Sequence, residues 1–202
     1  MSREFDVIVY GATGFVGELT AQYLAEQAPD GTRIALAGRS EPKLAACRRR
    51  LPERAANWPL VIADADSPSS LDAMCARTQV VCTTVGPYLK YGENLVVAAA
   101  SAGTDYVDLT GEVPFVRFAI DKADETARAT GARIVNSCGF DSVPSDLGAW
   151  VLYRKIADDQ AGELTDTTLV LSSFRGGVSG GTVDSMRVIA GEAKDPQTRR
   201  LL

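Results

Sequence analysis

Residues 5–19, from Phe5 to Leu19, read FDVIVYGATGFVGEL, and their order decides the fold. Asp6 to Tyr10 is a short β-branched apolar run of the kind that forms a buried strand. Three glycines, Gly11, Gly14 and Gly17, interrupt the next stretch, and then Val16, Leu19, Tyr23 and Leu24 recur on one helical face. The prediction is strand, turn, helix. The spacing is GxxGxxG, not the commoner GxGxxG, but the physical roles are the same. Gly11 makes the tight turn, Gly14 lets backbone approach a pyrophosphate, and Gly17 allows close packing of helix on strand, while the helix start aims free amides and its positive dipole end at the phosphates. Glycines also serve ordinary turns and helix packing. A position between a strand and a helix at the first crossover favours the dinucleotide reading over that one.

Working outward, strand-like and helix-like runs alternate. TRIALAGR leads to Ser40, whose hydroxyl is placed to cap a helix running through Leu51, with Pro42 in its first turn. LVIADA (Leu60 to Ala65) predicts a third strand and a helix around Ser70 to Ala76. QVVCTTV (Gln79 to Val85) predicts a fourth, then Gly86-Pro87 and a helix from about Asn94 to Ala102. DYVDL is a fifth strand, followed by a long helix from about Pro114 to Thr130, and RIVNS is a sixth. This regular alternation implies an α/β fold, a doubly wound parallel sheet covered on both faces with right-handed crossovers.

After a helix over Ser145 to Ala157 the pattern changes. DTTLVLSSF reads as a strand, and the glycine-rich RGGVSGGT leads to a helix beginning near Thr182. We expect a dinucleotide-binding domain over 1–155 and, over 156–202, the beginning of a second, substrate-facing α+β domain. The chain reaches RRLL soon after that second region starts, so the expectation is the N-terminal part of a longer protein, with this part inactive alone.

Composition narrows the chemistry. With 202 residues, 46% apolar and 23% charged, the chain can bury a real core, and no apolar run reaches the ~18 residues of a membrane span. The opening MSREFDVIVY carries no secretory signal pattern, so a cytoplasmic location is expected. A net charge of -5 argues against nucleic acid as the main partner; Arg48, Arg49 and Arg50, the one basic run, read as a solvated helix face. The cysteines, Cys47, Cys75, Cys82 and Cys138, are scattered, which suggests neither disulfides nor a metal site. No histidine exists, which removes imidazole bases and serine-histidine triads. Chemistry must come from a cofactor or other side chains.

In a doubly wound sheet, ligands lie beyond the carboxyl ends of the strands. The second strand ends Ala37-Gly38-Arg39-Ser40, without the acid that an NAD ribose prefers; Arg39 can fork onto a 2′-phosphate and Ser40 can donate to it, so NADP is the expected cofactor. Asp64 ends the third strand, where its carboxylate either faces the adenine or caps the next helix. Thr84, Gly86 and Pro87 follow the fourth, small enough to let the nicotinamide ribose pass, with a plain turn as the alternative. Asp108 and Asp141 follow the fifth and sixth; helix capping is favoured over an acid-base pair. Cys138 reads as a buried structural thiol, since nothing is present to activate it. Tyr88 and Tyr91 are the candidate proton donors, although no tyrosine has a lysine four positions on, as short-chain dehydrogenases require.

The segments YGATGFVGELTAQYL, ALAGRSEPKL, TTVGPYLKYGENLVVAAASAGTDYVDLTGE and NSCGFDSVPSDLG together resemble the saccharopine dehydrogenase-like oxidoreductases, most closely their actinobacterial trans-acting enoyl reductase branch. The resemblance covers essentially the whole chain. It implies a Rossmann domain followed by a substrate-facing domain, and action in trans on chains built by polyketide synthases during cell-envelope lipid assembly. It matches Gly11, Thr13, Gly14, Phe15 and Gly17 to the dinucleotide loop, Arg39 and Ser40 to the adenosine-phosphate position, and Gly86 to Tyr88 to the nicotinamide-side loop.

The expected reaction is therefore hydride transfer from NADPH to the β-carbon of an α,β-unsaturated acyl thioester, with Tyr88 or Tyr91 bonding or protonating the enolate. A carrier-bound acyl group, a polyketide synthase and a second copy of the chain are the expected partners. Two alternatives stay open: a module that holds NADP without turnover, and an imine reductase of the saccharopine dehydrogenase kind.

Overall fold

The structure, a computed structural model, describes residues 3–173, 175, 177 and 180–192. Six parallel strands form one sheet in the order β3-β2-β1-β4-β5-β6. They are β1 Phe5–Tyr10, β2 Ile34–Gly38, β3 Leu60–Ile62, β4 Thr78–Thr83, β5 Asp105–Val107 and β6 Ile134–Val135. The helices between them are α1 Phe15–Gln27, α2 Glu41–Arg48, α3 Pro68–Cys75, α4 Tyr88–Tyr91, α5 Glu93–Ala102 and α6 Val113–Thr130, with α7 Val143–Asp158 and α8 Gly180–Glu192 after the sheet. The order reverses between β1 and β4, so a crevice opens beyond the carboxyl ends of these two strands.

Two cores cover the two faces. Ile8, Tyr10, Val81 and Tyr106 meet Leu71, Val96 and Phe115 on the α3, α5 and α6 side. Val9, Ile34 and Leu36 meet Ala21, Leu44 and Trp58 on the other. This is why the central strands are continuous apolar runs: both faces are buried.

Several local expectations need correction. The buried side of α1 is Gly17, Ala21 and Ala25, while Leu19 and Tyr23 are exposed. Small residues win that face because α1 lies so close to the turn that a Cβ on Gly17 would stand 2.1 Å from the Gly11 carbonyl oxygen. Ser40 occupies the N-cap position of α2 but makes no side-chain cap bond, and the helix ends at Arg48, not Leu51. The basic run is only partly a solvated face: Arg48 donates to the Trp58 carbonyl at 2.8 Å and Arg50 grips Glu18 with two bonds of 2.7 and 2.6 Å. The strand expected over 166–174 does not form: residues 166–173 lack regular structure and Phe174 lies outside the described residues. Leu169, Val170 and Leu171 are exposed there, and a strand without a partner ladder is not stable. The helix expected over Ser145 to Ala157 is present as α7.

Candidate functional site

The turn after β1 is built as a cradle. Gly11 adopts φ +88°, which L side chains avoid, and a Cβ there would lie 2.7 Å from Val85 Cγ2 and 2.9 Å from Thr84 Oγ1. Gly11 N–H donates to the Ala37 carbonyl and Gly14 N–H to the Gly11 carbonyl, each at 2.9 Å. Gly14 then stands at the N-cap of α1 with no side-chain cap, and Thr13, Gly14 and Phe15 are exposed. The next amide to find a backbone partner is that of Glu18, bonded to the Gly14 carbonyl at 2.9 Å. Among the described residues the first amides of α1, at Phe15, Val16 and Gly17, have no backbone acceptor. Free donors at the positive end of a 13-residue helix, in front of a position where a Cβ would meet only the Gly11 oxygen at 3.4 Å, fit a phosphate.

Neighbouring strand ends add the rest. Arg39 is exposed immediately after β2 and makes no hydrogen bond or ion pair among the described residues. By contrast, Arg33, Arg50, Arg54 and Arg77 are each paired with a carboxylate. Ser40 is half-buried beside it. Asp64 Oδ1 accepts the Asp66 amide at 3.1 Å, so its carboxylate shapes the loop after β3. Burial, contributing most, and the Asp64 charge together push the Tyr10 phenol up to about 12. Thr84 ties the ends of β1 and β4: its amide donates to the Tyr10 carbonyl at 3.0 Å and its hydroxyl to the Gly11 carbonyl at 3.3 Å. Gly86-Pro87 is a cis peptide, with Gly86 half-buried and Pro87 buried.

The two tyrosines differ. Tyr88 is buried in the core, its hydroxyl donating to the Thr83 carbonyl at 3.3 Å and accepting the Leu109 amide at 3.4 Å. Burial, first, and the Asp108 charge hold its phenol far above the ordinary tyrosine range. Tyr91 is half-buried, with the Lys90 ammonium 4.8 Å from its ring centroid.

Asp108 is neither helix cap nor free acid. Buried, it accepts Thr110 N–H at 3.0 Å and Ser137 N–H at 2.8 Å on one oxygen, and Tyr106 O–H at 2.9 Å and Asn136 N–H at 2.7 Å on the other. It thereby fixes the loops after β5 and β6, including Ser137 at φ 59°. Asp141 is exposed and makes no cap bond; Ser142 holds the N-cap of α7. Cys138 is exposed, not buried, because β6 is only two residues long and the chain leaves the sheet edge at once. Partial desolvation and the Asp108 charge push its thiol above the usual range, which disfavours the thiolate. Glu112, which the sequence alone does not single out, is buried with its oxygens on the amides of Tyr88 and Leu89. Its only local signal is an acid just ahead of a helix, because its partners lie 23 and 24 residues away.

A groove of about 590 Å³ between α3, α5 and α6 lies on the helical flank, lined by Asp72, Glu93, Asn94, Val97, Ser101 and Phe118. Its two carboxylates repel phosphate, which disfavours this groove as a dinucleotide site.

Strand order, glycine cradle and open helix terminus define a nicotinamide-dinucleotide-binding domain of the doubly wound class. Residues 7–135 match the saccharopine dehydrogenase NADP binding domain, and the chain belongs to that family. A Mycobacterium tuberculosis relative is 58% identical over 201 residues, 99% of this chain and 48% of its own length. The trans-acting enoyl reductase of Mycobacterium bovis is 54% identical over 205 residues, and that of Mycobacterium leprae 54% identical over 202, again covering 99% of this chain and 48% of theirs. The chain thus spans about half the length of these relatives. Among solved structures, the saccharopine dehydrogenase of Saccharomyces cerevisiae matches with TM-score 0.62 and 21% identity over 76% of this chain and 32% of that one, a likeness of fold. No helix among the described residues is long and apolar enough to cross a membrane.

Proposed function

We propose that this chain is the cofactor-holding part of an NADP-dependent enoyl reductase. The observation that carries NADP over NAD is Arg39, exposed at the end of β2 and without an ion pair among the described residues, where no acid stands. In this reading the amides of Phe15, Val16 and Gly17 meet the pyrophosphate, Arg39 and Ser40 meet the 2′-phosphate, and Asp64 borders the adenine. Thr84 and Gly86 flank the nicotinamide side, with buried Pro87 shaping the loop from beneath. NADPH, when bound, supplies the hydride, and the chain's own residues orient it and keep water from its reactive face.

The 54% identity to trans-acting enoyl reductases, of which this chain covers 48%, supports an unsaturated acyl group as substrate and action in trans; that the group is a thioester carried by a polyketide synthase is the reading the sequence resemblance adds. The region from 156 onward then begins the substrate-facing part, in keeping with the exposed apolar side chains Leu147, Trp150 and Val151 on α7. For the enolate, the surroundings favour Tyr91 over Tyr88: the Lys90 ammonium beside Tyr91 offers a partner to developing negative charge, whereas the Tyr88 hydroxyl is enclosed and already bonded.

Titration with NADPH and NADH tests the first link. Wild type prefers NADPH, and Arg39→Asp weakens NADPH binding roughly ten- to hundredfold, the worth of a charged hydrogen bond. Unaltered NADPH preference in Arg39→Asp defeats the assignment. NADPH oxidation by the longer protein with enoyl thioesters tests the second, and tight binding with no turnover on any acyl or imine substrate defeats it.

A further inference from the structure

Glu112 is 1% exposed, and its carboxylate joins three separate elements. Standing at the N-cap of α6, it accepts the Tyr88 amide at 2.9 Å and the Ser185 hydroxyl at 2.6 Å on Oε1, and the Leu89 amide at 2.9 Å on Oε2. A buried carboxylate persists only where donors meet its oxygens, and α8 supplies one of these three. Ser185 also lies against the loop itself: a Cβ placed on Gly86 would stand 3.9 Å from its Oγ and 3.4 Å from the Tyr88 ring. Lys90 of α4 is held charged chiefly by Tyr91 and in smaller part by the Asp66 and Asp184 carboxylates, the latter next to Ser185 on α8. Helix α8 therefore reaches the loop after β4 in two ways, through the Glu112 carboxylate that holds the Tyr88 and Leu89 amides and by close approach at Gly86.

We propose that Glu112 and Ser185 are positioning residues that couple α8 to the Gly86–Tyr88 loop, so that the nicotinamide half of the dinucleotide is held firmly only while α8 is seated. This rests on the cofactor reading above. The loop is one wall of the crevice, and the amides of Tyr88 and Leu89 at its end are fixed by Glu112. Without the Ser185 hydroxyl, one carboxylate oxygen loses a charge-assisted bond and the loop relaxes. The adenosine half rests on β2 and the start of α1, on the other side of β1, and does not feel the change. The two halves of one ligand then respond differently to a single substitution.

The experiment titrates the 202-residue chain with NADPH and with adenosine 2′,5′-bisphosphate, which carries the 2′-phosphate but no nicotinamide. In Ser185→Ala, NADPH binding weakens about fivefold or more, within the usual range of coupling between sites, while bisphosphate binding is unchanged. Ser185→Thr restores NADPH binding, and Glu112→Gln shows the same split as Ser185→Ala. In the ligand-free protein, hydrogen exchange at the Tyr88 and Leu89 amides is faster in Ser185→Ala. Equal losses for both ligands, or unchanged NADPH affinity in Ser185→Ala with wild type still binding, overturns the coupling alone. A wild-type chain that binds neither ligand overturns the cofactor reading and the coupling with it.

Discussion

Gly17 and Gly14 sit three residues apart and are glycine for different reasons. At Gly17 the obstacle is the protein: a Cβ would meet Gly11 O at 2.1 Å, Gly11 C at 2.7 Å and the Ala12 Cα at 2.9 Å, all backbone. At Gly14 the protein leaves room, with Gly11 O at 3.4 Å as the nearest atom, so glycine there answers to the dinucleotide proposed above and not to the fold. Gly17→Ala should therefore lose about 1–3 kcal/mol of stability by urea unfolding, the usual cost of overpacking. Gly14→Ala should leave the unfolding midpoint almost unmoved while weakening NADPH binding. Equal unfolding midpoints in the two variants would contradict this division. The glycine turn is legible in the sequence because a positive φ and a backbone contact leave one residue type. The partners of Glu112 and Asp108 are not, since they are chosen by loops that meet only after the sheet assembles. Cys138 misleads for a related reason: cysteine is usually buried, and only the shortness of β6 exposes this one.

At the level of elements, sequence periodicity places the six strands and the helices α1, α2, α3, α5 and α6, because the alternation of apolar strands with helical runs repeats along the chain; α4, four residues long, is too short to show a period. It fails where it has no partner to refer to. Residues 166–173 have strand composition, but composition does not supply a neighbouring ladder. It also fails on α1, where large apolar residues point outward and small ones are buried. The ends of β5 and β6 depend on a single group, the Asp108 carboxylate with its four donors. Asp108→Asn replaces one acceptor by an amino group facing a donor, and should cost about 1.5–3 kcal/mol in chemical denaturation, the worth of a hydrogen bond to a charged group. Loss of dinucleotide binding should be smaller than the loss of stability, because the phosphate cradle lies across β4 from this hub. A neutral effect on unfolding would show that the loops after β5 and β6 hold without it.

For the whole molecule, pH is a sensitive probe because the folded sheet encloses titratable groups. Burial pushes the Cys75 thiol up to about 12, the Cys82 thiol up to about 11 and the Tyr10 phenol up to about 12, with nearby negative groups adding to each. Each is raised above its unfolded value, so its contribution is complete below about pH 9 for the thiols and about pH 10 for the phenol. It is lost as pH climbs through the folded values. Stability should fall by about 2–6 kcal/mol between pH 8 and about pH 11, read from urea midpoints, and Cys75→Ser should flatten the decline. A midpoint unchanged at the alkaline end would mean that these groups are not enclosed as described.

The sheet also tapers. Its strands are longest in β1 and β4, six residues each, and shrink to three in β3 and β5 and two in β6. Ladder bonding is therefore densest beneath the glycine turn and thins toward the β6 edge. In the proposed binding mode the phosphates rest on the most densely bonded part of the sheet. The opposite rim, from Asn136 onward, stands on the shortest strand and keeps its shape through the Asp108 carboxylate, so one side chain does there what ladder bonds do at the centre.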